Sequence, residues 1–414
     1  MQTKEDFAVE GFDVVIIGAG PAGTLAATLL ANKGVQVLVL ERMQFPRFVI
    51  GESLLPQSMA FLEKAGMMDA IKAAEFQHKN GANFSDDSRF SSIDFAEKFT
   101  DGWATTYQVP REEFDMLLAG EAVKAGVDIR FECGVSNVTF EDTGATLLGE
   151  GPEGKFEVRC RFVVDASGYG RVLPRLLDLD RPSDFPVRHA LFTHVTDQLA
   201  TKDFDRNKIL ITVHPEYSDI WYWLIPFSDG RSSVGVVVPS EHLDRLEGTA
   251  SDKLWALIAE TDQLHTLMAG SEECRPASEI AGYSSNVSQL CGPNFALLGN
   301  AGEFLDPVFS SGVTIAFKSA DLLIDPLMRQ LDGETVNWEQ DFTAPLKTGI
   351  DCFKTFVEAW YSGDLQKIIF NPPAHDNPVK RMIISILAGY AWDEKNPFVT
   401  DGKRYLDLVA TQCE

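Results

Sequence analysis

From Phe12 to Glu41 the chain reads as strand, glycine turn, helix, strand and acid, and this order leaves little freedom for the rest of the fold. Val14, Val15, Ile16 and Ile17 form a β-branched run that stops at Gly18-Ala19-Gly20-Pro21-Ala22-Gly23. An apolar helical pattern follows, Gly34 ends it, and residues 35–40 read as the next strand. A G-x-G-x-x-G between a strand and a helix is a dinucleotide fingerprint. Gly18 serves the tight turn, Gly20 the close approach of a pyrophosphate, and Gly23 the packing of helix on strand, while unpaired N–H groups at the helix start face the phosphates. Glu41 stands where a carboxylate accepts both ribose hydroxyls of an adenosine and repels a 2′-phosphate. The expected ligand is therefore FAD or NAD, not NADP.

The same letters recur at Gly149-Glu150-Gly151-Pro152-Glu153-Gly154 without that meaning. This copy is acidic, contains a proline and separates two strand-like runs, so it reads as a hairpin turn. With no second fingerprint, a separate NADPH-binding domain is not expected.

The chain has 414 residues, enough for two or three domains with substantial cores. Its 36 basic and 61 acidic residues give a net charge of −25, which argues against nucleic acid and anionic membrane surfaces as partners. Cys133, Cys160, Cys274, Cys291, Cys352 and Cys413 show no C-x-x-C and no metal spacing, so no metal site is expected and a reducing cytoplasm fits best. The N-terminus is too polar for a signal peptide, and no apolar run reaches the length of a membrane span.

Further along, residues 79–108 alternate short strands and turns, and a helix opens near Arg111 and runs to about 125. Arg161 to Gly168 reads as a strand entering the small-residue turn Asp165-Ala166-Ser167-Gly168. From about 182 to 288 the pattern is strand-rich, with runs at 219–227 and 232–239 joined by Ser228-Asp229-Gly230. Residues 295–300 read as one more buried strand, Gly312 starts a long helix, and 332–414 reads as helical, with an amphipathic stretch near 381–390.

The fold class is therefore α/β. Pieces at 10–50, 106–180 and 290–331 form a discontinuous Rossmann-like domain of the glutathione-reductase type. A mostly β substrate domain from 51–105 and 181–289 is inserted into it, and a helical C-terminal region follows. This interleaving points to a flavin oxygenase rather than a nicotinamide dehydrogenase.

These features together resemble the FAD-dependent monooxygenase superfamily and, within it, the flavin-dependent halogenases. The fingerprint with Glu41 and Arg42, the Asp165 turn and Arg111 at its helix start match superfamily features and imply contacts with FAD. Gly299-Asn300-Ala301-Gly302-Glu303-Phe304-Leu305-Asp306-Pro307 resembles the segment beside the ribityl chain, with Asn300 where relatives usually carry aspartate. The resemblance implies that Asn300, Asp306, Gly312 and Val313 also contact the cofactor.

Trp221-Tyr222-Trp223-Leu224-Ile225-Pro226 matches the family's W-x-W-x-I-P, although Ile220 replaces the usual preceding glycine. In the family these residues screen flavin from substrate; a strand with core tryptophans would show the same letters. Phe309-Ser310-Ser311-Gly312 resembles the halide-binding turn, since small residues at a helix start present N–H groups to an anion, although an ordinary serine cap would do so too. Phe309 stands where tryptophan halogenases carry a glutamate, which implies a substrate other than free tryptophan.

Lys79, within His78-Lys79-Asn80-Gly81-Ala82-Asn83-Phe84, matches the family's essential lysine. The resemblance implies that reduced FAD from a separate reductase, O2 and a halide ion yield hypohalous acid, relayed to Lys79 and then to an electron-rich aromatic. That substrate is a phenol or pyrrole, free or on a carrier protein. Glu52 matches a segment running between the flavin and substrate regions, as a structural anchor or a functional group. His78 is expected on the opposite strand face from Lys79. His189 and His194, five apart in a strand-like segment, are expected to face opposite ways. Two alternatives stand beside this reading: a monooxygenase or geranylgeranyl-reductase-like oxidoreductase without halogenation, and a flavoprotein without turnover.

Overall fold

A computed structural model describes residues 10–371 and 377–413. The polar N-terminal residues 1–9, read above as unlike a signal peptide, lie outside the described residues. Two large sheets carry the architecture. The first has the strand order Cys291–Gly292, Phe295–Leu297, Gly154–Asp165, Glu10–Ile17, Val37–Leu40, Asp128–Arg130. Its central pairs are parallel, with Ile17 opposite both Leu40 and Asp165.

The β-branched run forms the middle strand because both of its faces are covered. Val14 and Ile16 join one core cluster with the helices Pro21–Ala31, Arg111–Lys124 and Gly312–Leu331. Val15 and Ile17 face the other cluster, which contains Leu147 and Val163. The acidic G-x-G-x-x-G copy is a hairpin, as its composition indicated: Gly144–Gly151 pairs antiparallel with Gly154–Asp165, Gly151 opposite Gly154. The strand expected over 295–300 ends at Leu297, because Gly299 at φ +52° opens a tight turn.

The second sheet has the order Glu272–Glu273, Arg188–Thr196, Arg231–Pro239, Trp221–Pro226, Lys208–Val213, Gly81–Ser85, Phe90–Asp94. Side chains alternate across it. Tyr222 and Leu224 go to a cluster under the helices Ala250–Ile258 and Asp262–Met268. Trp221, Trp223 and Ile225 face the opposite way, toward the first sheet. Trp223 lies across Gly235, where a Cβ would sit 2.3 Å from its indole.

A small ribbon links the two sheets. Gln77–Lys79 pairs with Thr106–Gln108, Lys79 opposite Thr106, and Ser53 bridges to Gln108. A boundary at residue 106 therefore cuts through this ribbon. The C-terminal region is helical, from Ala344–Tyr361 to Gly402–Ala410, and the amphipathic stretch near 381–390 is the helix Pro378–Leu387. Among the described residues no helix is long and apolar enough to cross a membrane, and no cluster suits a metal ion.

Candidate active site

A cavity of ≈ 510 Å³ begins at the glycine turn and ends against the second sheet. Gly18 holds φ +101°, and a Cβ there would lie 2.6 Å from the Ala166 carbonyl oxygen. No other residue type fits that position. At Gly20 an added Cβ would meet only Arg47 Nη2, at 3.5 Å, so the backbone lies bare to the cavity. Pro21 begins the helix, and Gly20, Pro21 and Ala22 line the same space, where a helix start offers unpaired N–H groups.

Glu41 accepts from the backbone N–H of Ala19 and of Met43, both at 2.9 Å, which fixes its carboxylate on the cavity wall. Each oxygen keeps acceptor capacity for a ribose hydroxyl. Arg42 lies at the exposed rim. Arg111 is buried, bidentate to Asp115 at 2.8 and 3.0 Å, and donates to the Ile50 carbonyl at 2.8 Å. It therefore fixes the 50–53 loop that forms the cavity floor. A glycine cradle, a carboxylate near the fingerprint and an elongated cavity ending at another helix start suit an adenine dinucleotide with a second ring system.

The far end is made by Trp221, Trp223 and Ile225, with Ile209 and Ile211 from the neighbouring strand, and by Pro307, Ser310, Gly312 and Val313. Trp221 is fully buried, and its Nε1 donates to the Tyr361 hydroxyl at 2.9 Å. Trp223 Nε1 donates to Ser233 Oγ at 3.1 Å.

Beyond this wall a second, smaller cavity of ≈ 20 Å³ is lined by Lys79, Ser310, Phe84, Phe95, Phe309 and aliphatic side chains. The space holds about one water-sized molecule. Lys79 is 1% exposed. Its Nζ donates to Ser53 Oγ at 2.7 Å and to the Leu54 carbonyl at 2.9 Å, and it lies 5.3 Å from the centre of the Phe95 ring. No carboxylate pairs with it among the described residues. Burial lowers its pKa from 10.5 to about 7. His78 is exposed on the other face of the same strand.

Several residues expected to touch the cofactor are turned elsewhere. Asp165 is fully buried and accepts from the backbone N–H groups of Ser167 at 2.9 Å and Leu173 at 2.6 Å. It shapes the 166–168 turn that lines the cavity and does not itself line it. Asp306 likewise faces away, accepting from Val308 N at 3.0 Å and the Tyr361 hydroxyl at 2.9 Å. Burial raises it to about 6. Gly23 and Pro226 do not line the cavity: Gly23 is a packing position, where an added Cβ would lie 2.0 Å from the Gly18 carbonyl oxygen. Of the halide turn, Ser310 and Gly312 line the cavity while Ser311 is buried beneath it as the helix cap. Phe309 belongs to the lysine cavity. Asn300 lines the larger one.

Sequence reasoning missed Arg47, Ser53 and His194. Arg47 lines the cavity with Nη1 3.1 Å from Asp115. His194 and Glu52 are both buried, and His194 Nε2 lies 2.5 Å from Glu52 Oε1. His189, on the opposite face as expected, contacts Glu279 and Ser240. Glu52 is thus anchored by a partner that no spacing in the sequence could reveal.

Residues 11–337 match the family model described as FAD binding domain. The chain belongs to that family. It is an FAD-dependent oxidoreductase of the halogenase and monooxygenase superfamily. It is similar to a 1H-pyrrole-2-carbonyl peptidyl-carrier-protein chlorinase of Pseudomonas fluorescens, at 29% identity over 95% of this chain and 92% of the relative. Among solved structures it is similar to a flavoprotein/dehydrogenase from Cytophaga hutchinsonii, at 43% identity and a TM-score of 0.94, covering 98% of this chain and 99% of that one. It is also similar to the flavin-dependent brominase Bmp2, at 27% identity and a TM-score of 0.81, over 95% of this chain and 99% of that one.

Proposed function

We propose that this flavoprotein is a halogenase that installs chlorine or bromine on an electron-rich aromatic of the phenol or pyrrole type, free or tethered to a carrier protein. A separate reductase supplies the reduced cofactor. Bound reduced FAD supplies two electrons to O2; with halide and a proton, the overall products are oxidised FAD, hypohalous acid and water. The chain's own residues bind, screen and relay. The glycine turn, Glu41 and Arg111's loop hold the cofactor. The N–H groups at the start of the 312–331 helix, beside Ser310, offer an anion site. Trp221, Trp223 and Ile225 keep the aromatic away from the flavin ring.

The buried Lys79 amine carries this reading. A lysine without a carboxylate partner in an apolar pocket costs stability, and such a cost is retained where chemistry uses it. At neutral pH about half the amines are uncharged, so the nitrogen can bond hypohalous acid or take its halogen. Pyrrole-carrier halogenases among the relatives, including a brominase of Pseudoalteromonas luteoviolacea at 28% identity, support the halide and substrate class.

Incubation with FADH2, O2, bromide and a panel of phenols, pyrroles and indoles should give brominated product by mass spectrometry. Lys79→Ala should still consume O2 but form none, and halogenation retained by that variant would reject the role. A second reading draws on the Cytophaga hutchinsonii flavoprotein/dehydrogenase and on Asn300: an oxidoreductase that hydroxylates or saturates its substrate. Product formed without any halide requirement would favour it.

A further inference from the structure

The two cavities meet at a seam. Ile209, Ile211 and Ser310 line both, Ser53 lines only the larger, and Lys79 only the smaller. Two hydrogen bonds meet at the seam and both end on one oxygen. Lys79 Nζ donates to Ser53 Oγ at 2.7 Å, and Ser310 Oγ donates to it at 3.0 Å. A serine hydroxyl has two lone pairs and one proton. Both lone pairs are engaged here, so the Ser53 proton is the part left over, and among the described residues nothing accepts it. Ser53 is 4% exposed, and the space it lines is the larger cavity, on the glycine-turn side.

The lysine side of the seam has a matching count. A neutral amine carries two N–H bonds and one lone pair. Ser53 Oγ and the Leu54 carbonyl oxygen accept from the two N–H bonds, which leaves the lone pair for the small cavity that Lys79 lines.

We propose that Ser53 is the positioning residue for Lys79 and the point of transfer between the cavities. Its lone pair orients the amine, and its O–H is the first donor met by hypohalous acid leaving the flavin side. This rests on the halogenase reading above. On transfer the amine nitrogen bonds the halogen as the halogen–oxygen bond breaks, and the released hydroxide takes a proton from nitrogen and leaves as water. No further oxidant or reductant is needed. Without the Ser53 oxygen, the amine loses one of its two fixed acceptors and the seam loses its donor.

The test compares Ser53→Ala, Ser53→Thr and Lys79→Ala. Two quantities are measured: halogenated product per FADH2 consumed, and hypohalous acid escaping to a soluble 1,3-dione trap. Ser53→Ala should lower product per FADH2 at least tenfold and raise trap capture, and Ser53→Thr, which keeps the hydroxyl, should restore both. A readout independent of flavin follows from dosing FAD-free protein with hypochlorous acid and mapping N-chlorolysine. Labelling at Lys79 should fall at least fivefold in Ser53→Ala.

Unchanged coupling in Ser53→Ala, or no rescue by Ser53→Thr, overturns the inference. Halogenation retained by Lys79→Ala instead brings down the reading beneath it. An inactive Lys79→Ala beside an unaltered Ser53→Ala sinks the inference alone. Should Ser53→Ala fail to fold, Ser53→Cys, of similar size but a weak acceptor, carries the same measurements.

Discussion

Replacing Lys79 by methionine should make the protein more stable at neutral pH while abolishing halogenation. The amine has a pKa of 10.5 when exposed and about 7 in the fold, so folding costs free energy wherever the unfolded chain is protonated. At about 1.36 kcal/mol per unit, that cost is roughly 5 kcal/mol at pH 6 and roughly 4 kcal/mol at pH 7. It is fully present below pH 7, fades as the pH rises, and is gone above 10.5. Methionine fills similar space without charge but leaves the Leu54 carbonyl without its side-chain donor and Ser53 Oγ with Ser310 alone, a loss of about 1–2 kcal/mol. The net gain is then roughly 3 kcal/mol near pH 6, and the sign reverses between about pH 9 and pH 10. For a chain of this length about 1 °C of Tm corresponds to each kcal/mol.

Differential scanning fluorimetry of wild type and Lys79→Met from pH 6 to 10 should show the variant melting about 3 °C higher at the acid end, with the gap closing as pH rises. A gap that is absent, or that does not change with pH, would refute a buried and uncompensated amine. The same variant should oxidise FADH2 in the presence of O2 and yield no halogenated product.

Three further outcomes are expected. Gly18→Ala forces a Cβ to 2.6 Å from the Ala166 carbonyl at φ +101°, so FAD retention on gel filtration should be lost. His194→Ala leaves the Glu52 carboxylate buried and unpaired, at a cost of about 3 kcal/mol or more, read as a lower urea midpoint; an unchanged midpoint would mean the pair does not form. Phe309→Ala should cost about 3 kcal/mol in stability and enlarge the lysine cavity, so that bulkier phenols become substrates in a product panel.

The fold was largely legible because its signals are local. Strand, turn and helix follow one another from Phe12, and period-2 alternation puts Trp221, Trp223 and Ile225 on one face without any long-range knowledge. The acidic hairpin declared itself by composition in the same way. Side-chain direction at turns was not legible. Asp165 and Asp306 carry family motifs, yet a carboxylate entering a tight turn finds backbone N–H groups closer than any ligand and bonds those. Ser53 and His194 were invisible for a different reason: their partners Lys79 and Glu52 are brought close by the sheets, 26 and 142 positions away in the chain.

That distinction bears on how the wall between the cavities holds its shape. Trp221 is tied to Tyr361 of the 344–361 helix, and Tyr361 to Asp306 at the base of the 307–310 turn; Arg188, first residue of the strand Arg188–Thr196, lies 3.5 Å over the Tyr361 ring. Three parts of the chain thus converge on one buried carboxylate. Its pKa near 6 keeps most of it charged at neutral pH, and a charged acceptor holds the tyrosine more strongly than a neutral one. The screening tryptophan and the turn bearing Ser310 are therefore fixed by the same carboxylate, so neither can move far without the other. A wall built this way keeps its seam at Ser53 and Ser310 in one place, and the proposed relay to Lys79 depends on that geometry.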